Sequence, residues 1–457
     1  MQTYTIQTYG CQMNYSDTER MQAYLDALGF KKVDGFDKAD IIMFNTCSIR
    51  QKAEDRVFGE LQKMPQLRRK NPNLMVIVAG CMVRKSSSRY STERDPLFGR
   101  MSDLDIALRT EELPRLASLA REIKPDLSIP EIKEEDFEDY FHVKATHDSH
   151  KSRAQAFVPI SNGCDKFCTY CIVPYSRGRE KSRALDDILL EANELVENGC
   201  KEIILIGQTV NSYGLSHYDK EHKTFDSCEQ GEQPFPYLLK ELDKLHEKGL
   251  QRVRFTSPHP KDMTDRLIDA MANLRTQMPY LHLPVQSGDD RTLKRMNRPY
   301  NIEKYRETVK RLRARIPDIS ISTDVIVGFC GESDDEFENT YEFFREMAFE
   351  HAYLAQYSER AGTTAARFIK DDIPSEVKNK RWHRLNNLLR KLSTDALKRF
   401  RGRTVNVLVE EQKNKTCLGR SEHFKTVQFK SGRKLLGKIV PVKITDSREW
   451  MLMGELE

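Results

Sequence analysis

Short β-rich runs alternate with helical stretches along most of this 457-residue chain. The middle of the chain contains six such runs: AFVPISN, EIILIGQ, RVRFTS, YLHLPVQ, ISTDVIVGF and AYLAQYS. Helical patterns such as ALDDILLEANELVENG and DDEFENTYEFFREMAF lie between them. Strands that alternate with helices pair in parallel through right-handed crossovers. The pattern therefore predicts an α/β fold in which residues 155–374 form a partial (β/α)6 barrel, with the chemistry at the carboxyl ends of its strands.

The first part of the chain repeats the alternation on a smaller scale. Its β-rich runs TYTIQTYG, ADIIMFNT and LMVIVAG are followed directly by Cys11, Cys47 and Cys81. Helical patterns follow over residues 17–28 and 52–63. We predict a parallel α/β domain over residues 1–126, with the three cysteines as neighbours at one edge of its sheet. Spacing alone leaves buried structural cysteines as the alternative.

The last part of the chain is basic. Residues 396–457 contain fourteen Lys and Arg against seven Asp and Glu, whereas the whole chain has a net charge of +5. After an irregular acidic stretch at 127–154 and the barrel, we predict a basic connecting helix over 375–398. Short runs after it predict a small β-barrel over 399–457. A basic module favours a polyanionic partner, and a solvated basic surface is the alternative.

The stretch SNGCDKFCTYC follows the first barrel strand and places Cys164, Cys168 and Cys171 at spacings of four and three. Four thiolates would close a tetrahedral zinc or iron site, whereas three leave one coordination position open. A zinc site that takes a fourth ligand from Cys200 or a histidine is the competing interpretation. The remaining cysteines share no spacing pattern and are predicted to be bystanders: Cys200, Cys228, Cys330 and Cys417.

The N-terminal sequence MQTYTIQTYG lacks a basic region and an apolar stretch, and no apolar run approaches membrane-spanning length. These features predict a cytoplasmic protein without a membrane segment. In that compartment thiols stay reduced, so the ten cysteines are available to metals rather than to disulfides.

CxxxCxxC followed by a partial barrel resembles the radical S-adenosylmethionine enzymes. The resemblance implies that Cys164, Cys168 and Cys171 hold a 4Fe-4S cluster whose open iron binds S-adenosylmethionine, with Tyr170 beside the adenine. Polar residues close the predicted barrel strands, and two of them, Gln208 and Gln286, are candidate cofactor contacts by position.

The resemblance narrows to the methylthiotransferases, on the motifs TYGCQMN, NTCSIRQKAEDRVFGEL, AGCM, LIGQTVNSYG, QSGDDRTLKRMNRPY, TDVIVGF and YSERAGTTAA. It implies that Cys11, Cys47 and Cys81 hold a second, auxiliary 4Fe-4S cluster and that the C-terminal barrel is a TRAM domain. It also implies two molecules of S-adenosylmethionine per turnover. One departure is GFCGE where relatives usually have GFPGE, which puts Cys330 in a proline position. We interpret Cys330 as a tolerated replacement rather than a seventh ligand.

Within that family, NTCSIRQKA and the basic tail most resemble members that act on N(6)-dimethylallyladenosine next to the anticodon of tRNA, adding sulfur and a methyl group at carbon 2. The resemblance implies further partners: an electron donor such as a flavodoxin or ferredoxin, and a sulfur or cluster carrier protein. The chain is expected to be a monomer. Candidate contacts to RNA phosphates are Arg401, Arg403, Lys430, Arg433 and Lys434.

Three other functions remain open at the level of sequence. Related methylthiotransferases modify threonylcarbamoyl-adenosine in tRNA or an aspartate of a ribosomal protein, and the basic tail disfavours the protein substrate. A two-cluster electron-transfer protein would use four thiolates per cluster. An RNA-binding scaffold with zinc sites is the third alternative.

Overall fold

The computed structural model describes residues 2–48, 51–125, 140–148, 152–222, 225 and 232–457. The chain divides into two compact units. The first unit comprises residues 1–149, 162–164 and 171–179, and the second comprises 150–161, 165–170 and 180–457. Most of the predicted acidic linker, as well as Cys228, lies outside the described residues.

One sheet organises the first unit, and in the described part of the chain it has six strands. The strands are β1 Thr3–Tyr9, β2 Lys31–Lys32, β3 Ile41–Thr46, β4 Met75–Gly80, β5 Ser87–Ser88 and β6 Ile106–Leu108. Their order is β2-β1-β3-β4-β6-β5, and all neighbours are parallel except β5 and β6. This arrangement confirms the predicted parallel α/β organisation.

Helices cover both faces of that sheet. They are α1 Gln12–Ala27, α2 Gln51–Leu61, α3 Met64–Lys70 and α4 Leu116–Ile123, with short 3-10 turns at Phe36–Lys38, Pro96–Gly99, Thr110–Arg115 and Tyr140–His142. Ile41 and Met43 belong to one apolar cluster, whereas Ile42 and Phe44 belong to another. Alternate side chains of β3 are therefore buried on opposite faces, as expected for a central parallel strand.

Helix α1 begins at Gln12, five residues before the predicted start at Asp17. The backbone N–H of Cys11 donates to Asn14 Oδ1 at 3.1 Å, and the Cys11 thiol donates to the same oxygen at 3.4 Å. This local pairing begins the helix directly after β1 and places Cys11 at its amino-terminal end.

The second unit contains the six predicted barrel strands, which are parallel and lie in two sheets, β11-β10-β7 and β12-β13-β14. The strands of this region are β7 Gln155–Pro159, β8 Ser161–Asn162, β9 Lys181–Ser182, β10 Glu202–Ile206, β11 Arg252–Phe255, β12 Tyr280–His282, β13 Ser320–Val327 and β14 His351–Gln356. The short strands β8 and β9 pair only with each other among the described residues. The partial barrel is thereby confirmed.

The helices of this region follow the β/α alternation. They are α5 Val173–Ser176 of the first unit, then α6 Leu185–Glu197, α7 His217–Glu221, α8 Pro234–Asp243, α9 Asp265–Asn273, α10 Asp290–Arg295, α11 Ile302–Arg315, α12 Asp334–Met347 and α13 Thr364–Phe368. Short 3-10 turns lie at Val210–Ser212, Lys244–Lys248 and Pro260–Asp262. The outer faces of the strands, such as Ile203, Val253 and Val325, pack with these helices in one large apolar core.

The C-terminal region consists of helix α14 Ser375–Lys398 and a closed barrel in the order β15-β16-β17-β19-β18. The barrel strands are β15 Thr404–Lys413, β16 Thr416–Ser421, β17 Thr426–Lys430, β18 Ile439–Arg448 and β19 Met451–Leu456. The small barrel is confirmed, although its strand β16, TCLGRS, contains a glycine and shows no clear alternation. Gly419 is needed there, since a Cβ would lie 2.1 Å from the Leu408 carbonyl oxygen.

The C-terminal barrel packs against the amino ends of the partial-barrel strands. Arg252 Nη2 donates to the Asn406 carbonyl at 2.7 Å, and Arg254 Nη2 donates to the Ser421 carbonyl at 2.9 Å. Asp318 accepts from Arg403 Nη2 at 2.6 Å. Among the described residues, no helix is both long enough and apolar enough to span a bilayer.

Candidate metal centres

Cys11, Cys47 and Cys81 follow the carboxyl ends of β1, β3 and β4, which are neighbours in the sheet of the first unit. The Cys47 N–H donates to the Tyr9 carbonyl and the Cys81 N–H donates to the Thr46 carbonyl, both at 2.9 Å. The Cys47 thiol is hydrogen-bonded to both other thiols. The structure thus brings the three side chains together, and their role as cluster ligands stays a prediction.

Tight turns hold these cysteines in place. Gly80 has φ +92°, and a Cβ there would lie 2.5 Å from the Thr46 carbonyl oxygen. A Cβ at Gly10 would lie 2.1 Å from Asn14 Oδ1. Asn14 Nδ2 in turn donates to Asn45 Oδ1 at 3.2 Å, within a buried amide pair. Side chains larger than hydrogen therefore have no space in the turns that carry Cys11 and Cys81.

A buried ion pair lies behind Cys81. Arg177 Nε donates to Cys81 Sγ at 3.3 Å, and the Arg177 guanidinium also binds the carboxylate of Asp17. Asp17 further accepts from the Tyr140 hydroxyl at 2.6 Å, and Arg177 Nη1 donates to Asn162 Oδ1 at 3.1 Å. Arg177 is 3% exposed and Asp17 is fully buried. The pair is thus a fixed hydrogen-bond donor to one thiol of the trio.

The electrostatics of this site favour thiolates. Hydrogen bonding with Cys47 lowers the pKa of Cys81 to about 6, and the charge and hydrogen bond of Arg177 act in the same direction. Hydrogen bonding with Cys47 also lowers the pKa of Cys11 to about 7, against the opposing effect of burial. The same hydrogen bonds raise the pKa of Cys47. Because thiolates are the form that binds metal, the donor set suits iron.

The three thiols are compatible with the ligand set that a four-iron cluster takes from a protein. Within the described ranges, no group of three or more His, Cys, Asp or Glu side chains has the arrangement that would hold one metal ion. In a four-iron cube each thiolate binds a different iron, so its ligands lie around the cube rather than around one point. Three thiols at adjacent strand ends supply such a set with one position left for another ligand.

The second cysteine motif is a loop shaped by backbone contacts. Gly163 has φ +81°, and a Cβ there would lie 2.1 Å from the Arg179 carbonyl oxygen. The Cys164 N–H donates to the Gly178 carbonyl at 3.2 Å. Both contacts lie within the first unit, which also contains Cys171. Cys164 is buried and Cys171 is half-buried.

Cys168 belongs to the second unit. It is buried, and its Sγ accepts from Arg298 Nη1 at 3.3 Å. Its neighbour Phe167 has φ +47°, and the Phe167 carbonyl accepts from Asn297 Nδ2 at 2.9 Å. An arginine therefore donates to one cysteine of each motif, at Cys81 and at Cys168. Neither arginine was predicted, because 96 and 130 residues separate the partners.

The predicted cofactor contacts lie near the carboxyl ends of the barrel strands. The Tyr170 ring packs edge-on against Phe329, with 6.3 Å between centroids. Gln286 has φ +72° and lies four residues after the end of β12, and Ser257 has φ +56° and lies two residues after the end of β11. Left-handed backbone at residues other than glycine is strained and often marks functional positions. Gln208 follows β10, and its Oε1 is buried without a hydrogen-bond partner among the described residues.

Glu180 adds a polar group that sequence reasoning missed. Its Oε2 accepts from Thr209 Oγ1 at 2.9 Å, next to Gln208 in sequence, and its Oε1 is buried without a partner in the described part of the chain. Burial raises the pKa of Glu180 to about 7. Two orphaned buried oxygens near the end of β10 fit a site for a polar ligand such as S-adenosylmethionine.

The five predicted RNA contacts are all exposed on the C-terminal region. Arg401 is paired with Asp446 at 2.7 Å, and Arg403 is paired with Asp318. The other three lie at the end of β17 and in the turn after it: Lys430, Arg433 and Lys434. These three are the better candidates, since the two arginines already bind carboxylates, and all five stay predictions.

The other described cysteines lie in apolar surroundings. Cys330 packs with Met296, Phe329 and Tyr357, and burial raises its pKa. Burial raises the pKa of Cys200 to about 12. Cys417 is part of the core of the C-terminal barrel. These environments agree with structural roles.

Three family models match successive parts of the chain. Residues 3–98 match the model described as uncharacterized protein family UPF0004, residues 158–344 match the radical SAM superfamily, and residues 398–456 match the TRAM domain. The radical SAM match implies a 4Fe-4S cluster and S-adenosylmethionine. The three matches agree with the predicted N-terminal, central and C-terminal parts.

A solved structure supports the fold. The radical S-adenosylmethionine methyltransferase TsrM from Kitasatospora setae, with cobalamin and a [4Fe-4S] cluster bound, aligns with a TM-score of 0.56 and 12% identity. The alignment covers 80% of this chain and 77% of TsrM.

Sequence relatives are much closer. The tRNA-2-methylthio-N(6)-dimethylallyladenosine synthase of Oceanobacillus iheyensis is 40% identical, over 99% of this chain and 83% of that protein. The synthase of Bacillus subtilis is also 40% identical, over 99% and 85%, and that of a Thermoanaerobacter species is 39% identical, over 99% and 92%. The chain therefore belongs to the tRNA-2-methylthio-N(6)-dimethylallyladenosine synthase family of radical SAM methylthiotransferases.

Proposed function

We propose that this chain adds sulfur and a methyl group at carbon 2 of N(6)-dimethylallyladenosine next to the anticodon of tRNA. The observation that carries the proposal is a second set of three thiols, at the ends of β1, β3 and β4, besides the CxxxCxxC loop. A single radical SAM reaction needs only the loop, whereas the transfer of sulfur needs a further site that can hold it. Relatives named for this reaction align over 99% of this chain, which supports the same activity.

Cys164, Cys168 and Cys171 would hold one 4Fe-4S cluster, and Cys11, Cys47 and Cys81 would hold a second. When bound, the two clusters and two molecules of S-adenosylmethionine per turnover supply one-electron chemistry that breaks an aromatic C–H bond, together with the sulfur and the methyl group. Protein acids and bases cannot do this readily, because the ring hydrogen at carbon 2 is not acidic.

The side chains of the protein orient the cysteine ligands and bind the cofactor. Arg177, held by Asp17, donates to Cys81 and keeps that thiolate in one orientation. Arg298 does the same for Cys168. Around the barrel mouth, Tyr170, Gln208 and Gln286 are proposed to contact S-adenosylmethionine, and the orphaned oxygen of Glu180 is available to accept from its amino group.

The domain limits remain our proposal as predicted, with residues 1–126 for the auxiliary cluster, 155–374 for the radical chemistry and 399–457 for RNA. The C-terminal barrel would bind tRNA phosphates through Lys430, Arg433 and Lys434, which gives affinity without choice of sequence. An external electron donor, such as a flavodoxin or ferredoxin, and a sulfur or cluster carrier complete the proposed partners of a monomeric enzyme.

Nucleoside mass spectrometry of tRNA from a strain that lacks the gene tests the proposal. We expect N(6)-dimethylallyladenosine without its methylthio group, restored by the wild-type gene but not by Cys81→Ser. Intact methylthio product in the deletion strain would contradict the proposal. Loss of methylthio groups only from threonylcarbamoyl-adenosine would instead assign the alternative nucleoside.

A further inference from the structure

The inner face of the second barrel sheet carries a row of polar and aromatic side chains. Strands β12, β13 and β14 pair in parallel, with His282 beside Ser322 and Asp324 beside Tyr353. Alternate residues of the same strands, such as Leu281, Val325 and Ala352, belong to the apolar core shared with the helices. Since side chains alternate along a strand, the polar set faces the interior of the partial barrel.

Cross-strand contacts fix this row in place. His282 Nδ1 lies 2.9 Å from Ser322 Oγ, and His282 Nε2 lies 3.3 Å from Asp324 Oδ1. The Tyr353 ring is nearly perpendicular to those of His282 and His351, with centroids 5.7 and 4.8 Å away. The four side chains His282, Asp324, His351 and Tyr353 thus form one ordered interior surface, which we call the inner polar face.

Tyr353 is unusual on that face because it is 53% exposed, although a barrel interior normally buries its aromatic residues. The amino end of the face is closed by the C-terminal barrel, whose Phe424 stacks on Tyr280 at 4.6 Å and whose Trp450 contacts His351 at 5.7 Å. The side chain of Asp324 is 36% exposed. Accessible space therefore lies on the carboxyl side of the face, where the cofactor contacts are proposed.

We infer that the inner polar face binds the extruded adenine base of the RNA substrate, with the Tyr353 ring stacking on the base and Asp324 accepting from its edge. This inference rests on the proposed function and names the residues that receive the substrate. Proteins recognise splayed-out RNA bases by stacking on aromatic rings and by hydrogen bonds to base edges. Tyr353 offers a ring held at a fixed angle, and the Asp324–His282 pair offers an acceptor and a donor close to it.

The neutral state of the neighbouring histidine is consistent with a stacking site. Burial lowers the pKa of His351 to about 4, so its ring packs against Tyr353 without a charge near neutral pH. A purine entering beside Tyr353 would therefore meet an uncharged His351 ring, and the charges that act on this ring from nearby are those of Lys425, Arg420 and Asp324.

Binding of RNA to the reconstituted enzyme tests the inference separately from catalysis. The probes are an anticodon stem–loop RNA with N(6)-dimethylallyladenosine and the same RNA with an abasic site at that position. Tyr353→Leu removes the aromatic face and should weaken binding of the base-containing RNA about 5- to 150-fold, the usual range for one base–aromatic stack. Tyr353→Phe keeps the face and should bind within about twofold of the wild type. Tyr90→Leu, at an exposed tyrosine of the first unit, is the matched control and should leave the affinity for both RNAs unchanged.

The abasic RNA separates a base contact from a general effect. If Tyr353 stacks on the base, Tyr353→Leu binds the abasic RNA as tightly as the wild type does, and Asp324→Ala behaves in the same way. The inference is overturned if Tyr353→Leu weakens the binding of both RNAs equally, or if it weakens the binding of neither. In that case, methylthiolation of the modified RNA by the wild-type enzyme still supports the proposed function. If the wild-type enzyme fails to methylthiolate that RNA, the proposed function fails first.

Discussion

The buried Asp17–Arg177 pair behind Cys81 gives the sharpest prediction for the first unit. Asp17→Asn removes the negative partner but keeps the shape of the side chain and its contact with Tyr140. Arg177 then stays buried at 3% exposure and keeps the Cys81 sulfur and the neutral Asn162 oxygen as acceptors, but it loses its carboxylate partner. The converse change, Arg177→Met, leaves Asp17 fully buried, with the Tyr140 hydroxyl as its remaining side-chain donor in the part of the chain that the structure describes. Each single change therefore leaves one buried charge without the partner of its buried ion pair.

The size of the effect follows from burial. Breaking a buried ion pair by removal of one partner typically costs about 3–5 kcal/mol, whereas removal of both partners costs much less. We expect each single variant to lose about 3 kcal/mol or more of unfolding free energy in the first unit. The double variant should recover at least about 1 kcal/mol relative to the sum of the singles, because the two side chains share one interaction.

Hydrogen exchange is the suitable assay, since both tryptophans of the chain, Trp382 and Trp450, lie in the second unit and do not report on the first. Peptides that cover β1, β3 and β4 should exchange faster in the single variants, and those of the C-terminal barrel should not change. The assignment of a buried, mutually dependent pair would be refuted if each single variant lost less than about 1 kcal/mol of unfolding free energy and the double variant lost the sum of the two.

Three further predictions concern other parts of the molecule. Gly80→Ala places a Cβ 2.5 Å from a carbonyl oxygen, at a residue with φ +92°. It should lower the free energy of unfolding by about 1–3 kcal/mol and cause loss of bound iron, as measured by denaturation and iron assays. The control Gly59→Ala, where nothing lies within 4 Å, should keep its stability and its iron. Burial lowers the pKa of His423 to about 4, so the unfolded state takes up its proton first, and the free energy of unfolding should fall as pH drops from about 6.5 to about 4. Unfolding followed by tryptophan fluorescence should show a smaller decrease of the unfolding free energy with falling pH in His423→Gln than in the wild type. The same pH dependence in both proteins would contradict this prediction. Alanine replacement of Lys430, Arg433 and Lys434 should weaken the binding of every tRNA, whatever its sequence. It should also reduce the slope of log affinity against log salt concentration by about 2–3. An unchanged slope would show that these residues do not contact RNA phosphates.

Periodicity predicted the architecture well because each strand of the partial barrel has one face buried under helices. Runs such as EIILIGQ and ISTDVIVGF therefore carry apolar residues at alternate positions, which face the helices. Strand β16 gave no such signal. Gly419 lies where β15 and β16 approach closely, and that tertiary requirement replaces the β-branched residues that usually mark a strand. Likewise, helix α1 begins early because Asn14 bonds back to Cys11, a contact between specific side chains rather than a periodic pattern.

The cysteines of the candidate sites were predictable, but their surroundings were not. The positions of Cys11, Cys47 and Cys81 after β-rich runs indicated one sheet edge, and the structure brings their thiols together. Nothing in the sequence links Arg177 to Asp17, 160 residues earlier, or shows that Glu180 is buried. Such pairs depend on the tertiary fold, and local patterns carry no information about them.

Iron and sulfide analysis of the reconstituted protein tests the central claim most directly, since the account requires two clusters with three protein ligands each. We expect about eight iron atoms and eight sulfides per wild-type chain. About four of each should remain after alanine replacement of Cys11, Cys47 and Cys81, and likewise after alanine replacement of Cys164, Cys168 and Cys171. A wild-type chain that binds only about four irons, or a triple variant that still binds about eight, would contradict the account.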